Sequence, residues 1–295
     1  MLHPTSLLAD ALADRLTVGY GRMFGSREPE WAELVAVATR LTLELIGDSD
    51  ALYHDAHHTA LVTLVGQDVL RGRLLACAIG PADWAHVTLA LLLHDIGFVR
   101  GVCPGDGRGR CVVGAGGDRV LVPRGASDAF LAPYHVERGK LAVRARFASH
   151  GTVDAERIVR AIERTRFPVP EGRDHAATDD EAGLVRAADL IGQLADPFYH
   201  RKLTALFAEF SETGMAEKLG CKTAADLGAI FSDFFTLQVE PYIGDAIRYL
   251  ELTTEGKQWI ANLHSNLFQS GHRPARIGPF PGGAQPTSAS LSVVT

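Results

Sequence analysis

Val87-Thr88-Leu89-Ala90-Leu91-Leu92-Leu93-His94-Asp95 is an apolar run that ends in an imidazole and a carboxylate. Val87 to Leu93 carries no charge, no Gly and no Pro, so it reads as a buried helix, with Asp83 as the expected N-cap ahead of Trp84 to Leu93. A His-Asp pair at the end of such a segment is costly to bury alone, and a metal ion is a natural partner. Upstream lies Tyr53-His54-Asp55-Ala56-His57-His58-Thr59, and far downstream Arg186-Ala187-Ala188-Asp189-Leu190. His58, the pair His94-Asp95, and Asp189 therefore supply four N/O ligands from three apolar segments. Such a set suits Mg, Mn, Zn or Fe, as one ion or as two sharing Asp95. His54 lies four residues before His58, which on a helix puts both imidazoles on one face and leaves His54 to move a proton.

The rest of the chain has the same helical period. Trp31 to Ile46, Val136 to Phe147, Ala155 to Ile162, Glu181 to Leu194, Phe198 to Phe210 and Thr254 to Phe268 all place apolar residues at helical spacing. Thr223 to Leu250 does too, with a kink or break expected at Pro241. The exception is the Gly- and Arg-rich stretch from Gly97 to Pro133. There Val112-Val113 and Val120-Leu121-Val122 flank Gly114-Ala115-Gly116-Gly117-Asp118, the pattern of a small β-hairpin at the rim of the site. The expected fold is all-α: one helical domain over residues 1–270, with its core at about 50–250 and the hairpin excursion at about 103–125. The Pro-, Gly- and Ser-rich residues 271–295 are expected to be a disordered tail.

Composition narrows the classes of function. The chain has 295 residues, 46% of them hydrophobic, and a net charge of −6. That is enough to bury a core, and it leaves no basic footprint for a nucleic acid polymer or an anionic membrane surface. No apolar run reaches the ~18 residues of a membrane span. Met1 to Asp14 lacks the basic and apolar regions of a secretory signal, so a cytoplasmic protein is expected. Cys77, Cys103, Cys111 and Cys221 have no CxxC spacing and read as reduced structural thiols.

These motifs resemble the HD superfamily of metal-dependent phosphohydrolases, closest in pattern to class I cyclic nucleotide phosphodiesterases. Tyr53-His54 with His58-Thr59 is similar to their YHNxxHA element, Ala90 to Asp95 to ALxHD, and Ala188-Asp189-Leu190 to CADLSNP. Thr165 is what remains of a Thr-Asp-Met element. Tyr199 to Glu209 and Phe231-Ser232-Asp233-Phe234 look like two further stretches, the second lining the base pocket. The resemblance implies an HD-type helical bundle with His58, His94, Asp95 and Asp189 as metal ligands. It makes His54 the acid that protonates the leaving 3′-oxygen, with Asp95 acting beside it. Thr165 and Phe231 become substrate contacts, Phe231 stacking on a base. His135 is an additional metal or substrate ligand, in the manner of HD proteins that hold more than one ion. Two positions depart from the pattern: Gly97-Phe98 stands where HDxDH has its second Asp-His, and Gly228 replaces the pocket glutamine. The implied partner is a small-molecule phosphate ester. Two rivals are an HD-fold di-iron oxygenase and a non-catalytic nucleotide-binding HD module.

Overall fold

The computed structural model describes residues 3–271, so the expected tail from residue 272 onward lies outside the described residues. The fold is all-α. Its helices are α1 (Pro4–Phe24), α2 (Glu30–Gly47), α3 (Ala56–Ala76), α4 (Pro81–Leu93), α5 (His135–Phe147), α6 (Ala155–Arg164), α7 (Glu181–Leu194) and α8 (Tyr199–Glu212). Short helices α9 (Met215–Lys218), α10 (Ala224–Ala229) and α11 (Phe231–Phe234) follow, then α12 (Glu240–Leu250) and α13 (Thr254–Gly271).

Helix α4 is apolar all round, and it sits where such a helix must, in the centre, touching α2, α3, α6 and α7. Leu89, Leu91 and Leu92 are fully buried, each contributing roughly 2 kcal/mol of apolar transfer. Contact with α3 is tight because α3 carries Gly66 there; a Cβ would lie 2.2 Å from the Leu91 side chain. The polar groups at this seam satisfy one another. Trp84 Nε1 donates to Gln67 Oε1 at 2.7 Å, and Gln67 Nε2 donates to Thr88 Oγ1 at 3.0 Å. Helix α4 starts earlier than the sequence suggested. Gly80 is its N-cap, Pro81 occupies the first turn, and Asp83 reaches back to accept from the Gly80 N–H at 2.7 Å. Asp83 is thus the third residue of the first turn rather than the cap.

The segment 223–250 does not form one kinked helix. It breaks into α10, α11 and a π-turn over Phe235–Val239 before α12. Pro241 lies in the first turn of α12, where its missing N–H costs nothing, so it starts a helix instead of kinking one.

The Gly-rich excursion carries the expected hairpin, displaced slightly toward its N-terminal side. Strand β1 (Arg110–Val112) pairs antiparallel with β2 (Arg119–Leu121), with Cys111 opposite Val120. Gly117, at φ 82, takes a turn conformation that a side chain would strain. Arg138 of α5 clamps the hairpin to the residues after the His-Asp pair. Its fully buried guanidinium donates to the carbonyls of Gly97 (2.7 Å), Val99 (2.8 Å) and Val112 (2.6 Å), and to both carboxylate oxygens of Asp106 (3.1 and 2.9 Å). Five charged or carbonyl acceptors on one guanidinium offset the cost of burying it.

Candidate metal centre

Three helix ends and one helix middle build the site. His58 lies in the first turn of α3, held there because the N-cap Asp55 accepts from the His58 N–H at 2.8 Å. His94 caps the C-terminus of α4, and Asp95 opens the 3₁₀ turn Ile96–Phe98 that follows. Asp189 projects from the middle of α7. His58, His94 and Asp95 offer ligand atoms that all lie within 4.8 Å of one another. Asp189 Oδ1 joins them at 3.5 Å from His58 Nε2 and 3.6 Å from His94 Nε2.

The protonation pattern follows from the backbone. His94 Nδ1 lies 2.7 Å from the Leu91 carbonyl, and His135 Nδ1 lies 2.6 Å from the Ala132 carbonyl. A carbonyl can only accept, so each Nδ1 carries a proton and each ring, once neutral, presents its Nε2 lone pair. Those lone pairs face the two oxygens of one carboxylate: His94 Nε2 is 3.0 Å from Asp95 Oδ2, and His135 Nε2 is 3.8 Å from Asp95 Oδ1. His94 Nε2 and Asp95 Oδ2 are buried with no hydrogen-bond partner. Without a metal ion, a proton on His94 Nε2 relieves the crowding of these acceptors, and a divalent cation can take that proton's place. Two imidazoles and two carboxylates fit a divalent transition metal by donor type.

Burial alone would push His58 and His94 down, but Asp95 and Asp189 outweigh it and lift both imidazoles to about 9. Asp95 is held well below the usual carboxylate range, against its desolvation, by the imidazoles around it. The field that raises the two imidazoles is the one that attracts a divalent cation. His135 moves the other way, pushed down by burial, so it is neutral and ready to coordinate.

His54 is placed differently from the expectation. It precedes the N-cap of α3 and is not on the helix. The turn at Asp55 still brings its ring to 5.6 Å from that of His58. The imidazole is aimed by Glu209 of α8, whose carboxylate accepts from the N–H of Tyr53 (2.6 Å) and of His54 (3.2 Å) and pairs with His54 Nδ1 at 2.6 Å. Glu209 outweighs burial and raises His54 above the ordinary imidazole value. The side chains of His58, His94 and Asp95 are 5% exposed or less, whereas those of His54, His135 and Asp189 are 21%, 19% and 19% exposed. The last three therefore mark the open side.

Two expected substrate contacts are instead spent in the core. Phe231 is 1% exposed and packs on Tyr199 with ring centroids 4.7 Å apart, so it has no free face for a base. Thr165 is buried at the C-cap of α6, where its hydroxyl donates to the Ile162 carbonyl at 2.8 Å. Sequence reasoning assigned no role to Glu209, although the stretch ending there was part of the resemblance, and treated Phe98 only as a departure from a motif.

This geometry defines an all-α protein with a buried His/Asp cluster compatible with a metal site. A family model described as Npun_R2479-like matches residues 2–273, and the chain belongs to that family. No curated protein matches the chain. Among the described residues no helix is long and apolar enough to cross a membrane.

Proposed function

We propose that this protein is an HD-type metal-dependent phosphohydrolase, with a nucleotide or cyclic-nucleotide phosphodiester as the favoured substrate class and the cytoplasm as its place of action. The observation that carries this is the convergence of His58, His94 and Asp95 within 4.8 Å, with His94 Nε2 and Asp95 Oδ2 left without partners. The order His, His-Asp, Asp along the chain supports the HD assignment. Asp189 completes the ligand set, and His135 with Asp95 Oδ1 offers a second position sharing the same carboxylate.

A divalent ion bound there supplies Lewis-acid polarisation of a phosphoryl oxygen and makes water a better nucleophile. His54 does the proton chemistry. With Nδ1–H tied to Glu209, the proton free for transfer sits on Nε2, and the carboxylate keeps the imidazolium populated near neutral pH. Water adds to phosphorus and gives up a proton to solvent at the open side, the P–O bond to the leaving group breaks, and His54 delivers its own proton to the departing oxygen. Solvent at the open side recharges the imidazole.

The burial of Phe231 and the Gly228 substitution leave the base without the two contacts the resemblance implied. Turnover should therefore depend on the phosphodiester more than on the identity of the base. One observation favours the di-iron oxygenase instead: His135 adds a third imidazole beside Asp95. The deciding experiment is hydrolysis of a chromogenic diester, cyclic AMP and cyclic GMP with Mg²⁺ or Mn²⁺, for wild type and Asp95→Ala. Turnover that disappears in the variant is expected. Turnover of nothing with any metal, together with tightly held iron and O₂ consumption, would transfer the assignment to the oxygenase.

A further inference from the structure

Phe98 is 2% exposed, and two imidazoles of the site stack on its ring. His54 lies over it at 4.4 Å between centroids with 13° between planes, and His135 at 4.7 Å with 25°. Among the described residues each of those imidazole rings is hydrogen-bonded at Nδ1, His54 to Glu209 and His135 to the Ala132 carbonyl, and Nε2 of His135 lies beyond hydrogen-bond distance, 3.8 Å, from Asp95. A ring held at a single point can swing about that bond. A flat aromatic face packed against it removes the swing at little entropic cost.

The backbone leaves Phe98 no freedom of its own. Its N–H donates to the Asp95 carbonyl at 3.0 Å, closing the 3₁₀ turn. Gly97 is pressed so closely on α5 that a Cβ there would lie 1.8 Å from the His135 carbonyl oxygen. Arg138 holds the carbonyls on both sides of Phe98, those of Gly97 and Val99. The same turn that presents Asp95 thus also presents the surface on which His54 and His135 rest.

We infer that Phe98 is a positioning residue that sets the imidazole planes of His54 and His135 relative to Asp95. This rests on the proposed phosphohydrolase site for its consequence in turnover, but not for its geometry. The test compares wild type with Phe98→Leu, which keeps an apolar side chain without a flat face, and Phe98→Tyr, which keeps the face; Phe98→Met replaces the Leu variant if that one fails to fold. At least one ion per chain should stay bound in all of them, because the Phe98 ring stacks on His54 and His135 rather than on His58, His94 or Asp95. In the Leu variant kcat for the chromogenic diester should fall by roughly tenfold to a hundredfold with KM within about twofold, the signature of a misplaced group rather than lost binding. The Tyr variant should recover most of that loss. Crystal structures provide a readout that needs no turnover: in the Leu variant the His54 and His135 rings should rotate or split while His58 and His94 stay in place. Unmoved rings, an unchanged kcat, or a Tyr variant no better than Leu would overturn the assignment. If the wild type hydrolyses no diester, the phosphohydrolase proposal fails, and the ring positions alone still decide the role of Phe98.

Discussion

Glu209→Gln separates charge from shape beside His54. The native carboxylate is 4% exposed and is bonded to two backbone N–H groups and to His54 Nδ1. Gln fills the same volume and can still accept, but without a charge, and its amide protons face groups that are themselves donors. The difference between a charge-assisted and a neutral hydrogen bond is about 1 kcal/mol, so up to three such bonds place the loss at roughly 2–3 kcal/mol. For a chain of this size that lowers Tm by roughly 3–5 °C. The pH dependence follows from both partners. Glu209 is held below its ordinary 4.5, so its contribution is present above that value and is lost as pH falls through the lower folded value. His54 is raised above 6.5, so its contribution is complete below 6.5 and fades as pH climbs through the raised value. The stability gap between wild type and variant should therefore be widest between about 4.5 and 6.5 and should narrow on the alkaline side. In the variant, burial of the His54 ring loses its main opponent, and the imidazole should titrate below its native value. Thermal melts across pH and an NMR titration of His54 measure both effects. A His54 that titrates alike in the two proteins, or a gap that does not narrow at high pH, would refute the electrostatic argument.

Metal binding should release protons at neutral pH. His58 and His94 rise to about 9 when no cation is present, and both must be neutral to coordinate. Calorimetry of Mn²⁺ binding in buffers of different ionisation enthalpy should show this release, with affinity weakening as pH drops; binding without proton exchange would contradict it. The same shifts stabilise the metal-free protein fully below 6.5, and that stabilisation is lost as pH rises through about 9. Melts in a chelator from pH 6 to 9.5 should fall more steeply than melts with metal. Gly97→Ala should be severely destabilising, by about 3 kcal/mol or more, since backbone rather than a flexible side chain lies 1.8 Å from the new methyl. Denaturant unfolding measures it, and a loss under 1 kcal/mol would show that the turn can shift away from α5.

The sequence alone determined the all-α fold and the four residues that converge, because both depend on local pattern. An apolar run without a polar face must be a central helix, and a His-Asp pair at its end must lie at the edge of the core. The three ligand segments are apolar for the same reason, so finding them required no knowledge of how the chain turns back on itself. The tertiary structure alone decided the surroundings. His54 meets His58 across an N-cap rather than along a helix, because Asp55 spends its carboxylate on the first turn of α3. Glu209, 155 residues further along, becomes the partner of His54 only when α8 packs beside Tyr53, and no spacing rule encodes a contact at that separation. Phe231, expected to face a base, is drawn into the core against Tyr199, since an aromatic ring gains more from full burial than from a half-open pocket. Phe98, which in the sequence only interrupts a motif, acquires its two stacked imidazoles from a turn that Gly97 and Arg138 press against α5. Ligand types follow from residue chemistry, but the orientation of each ring is set by whichever distant helix the folded chain brings against it.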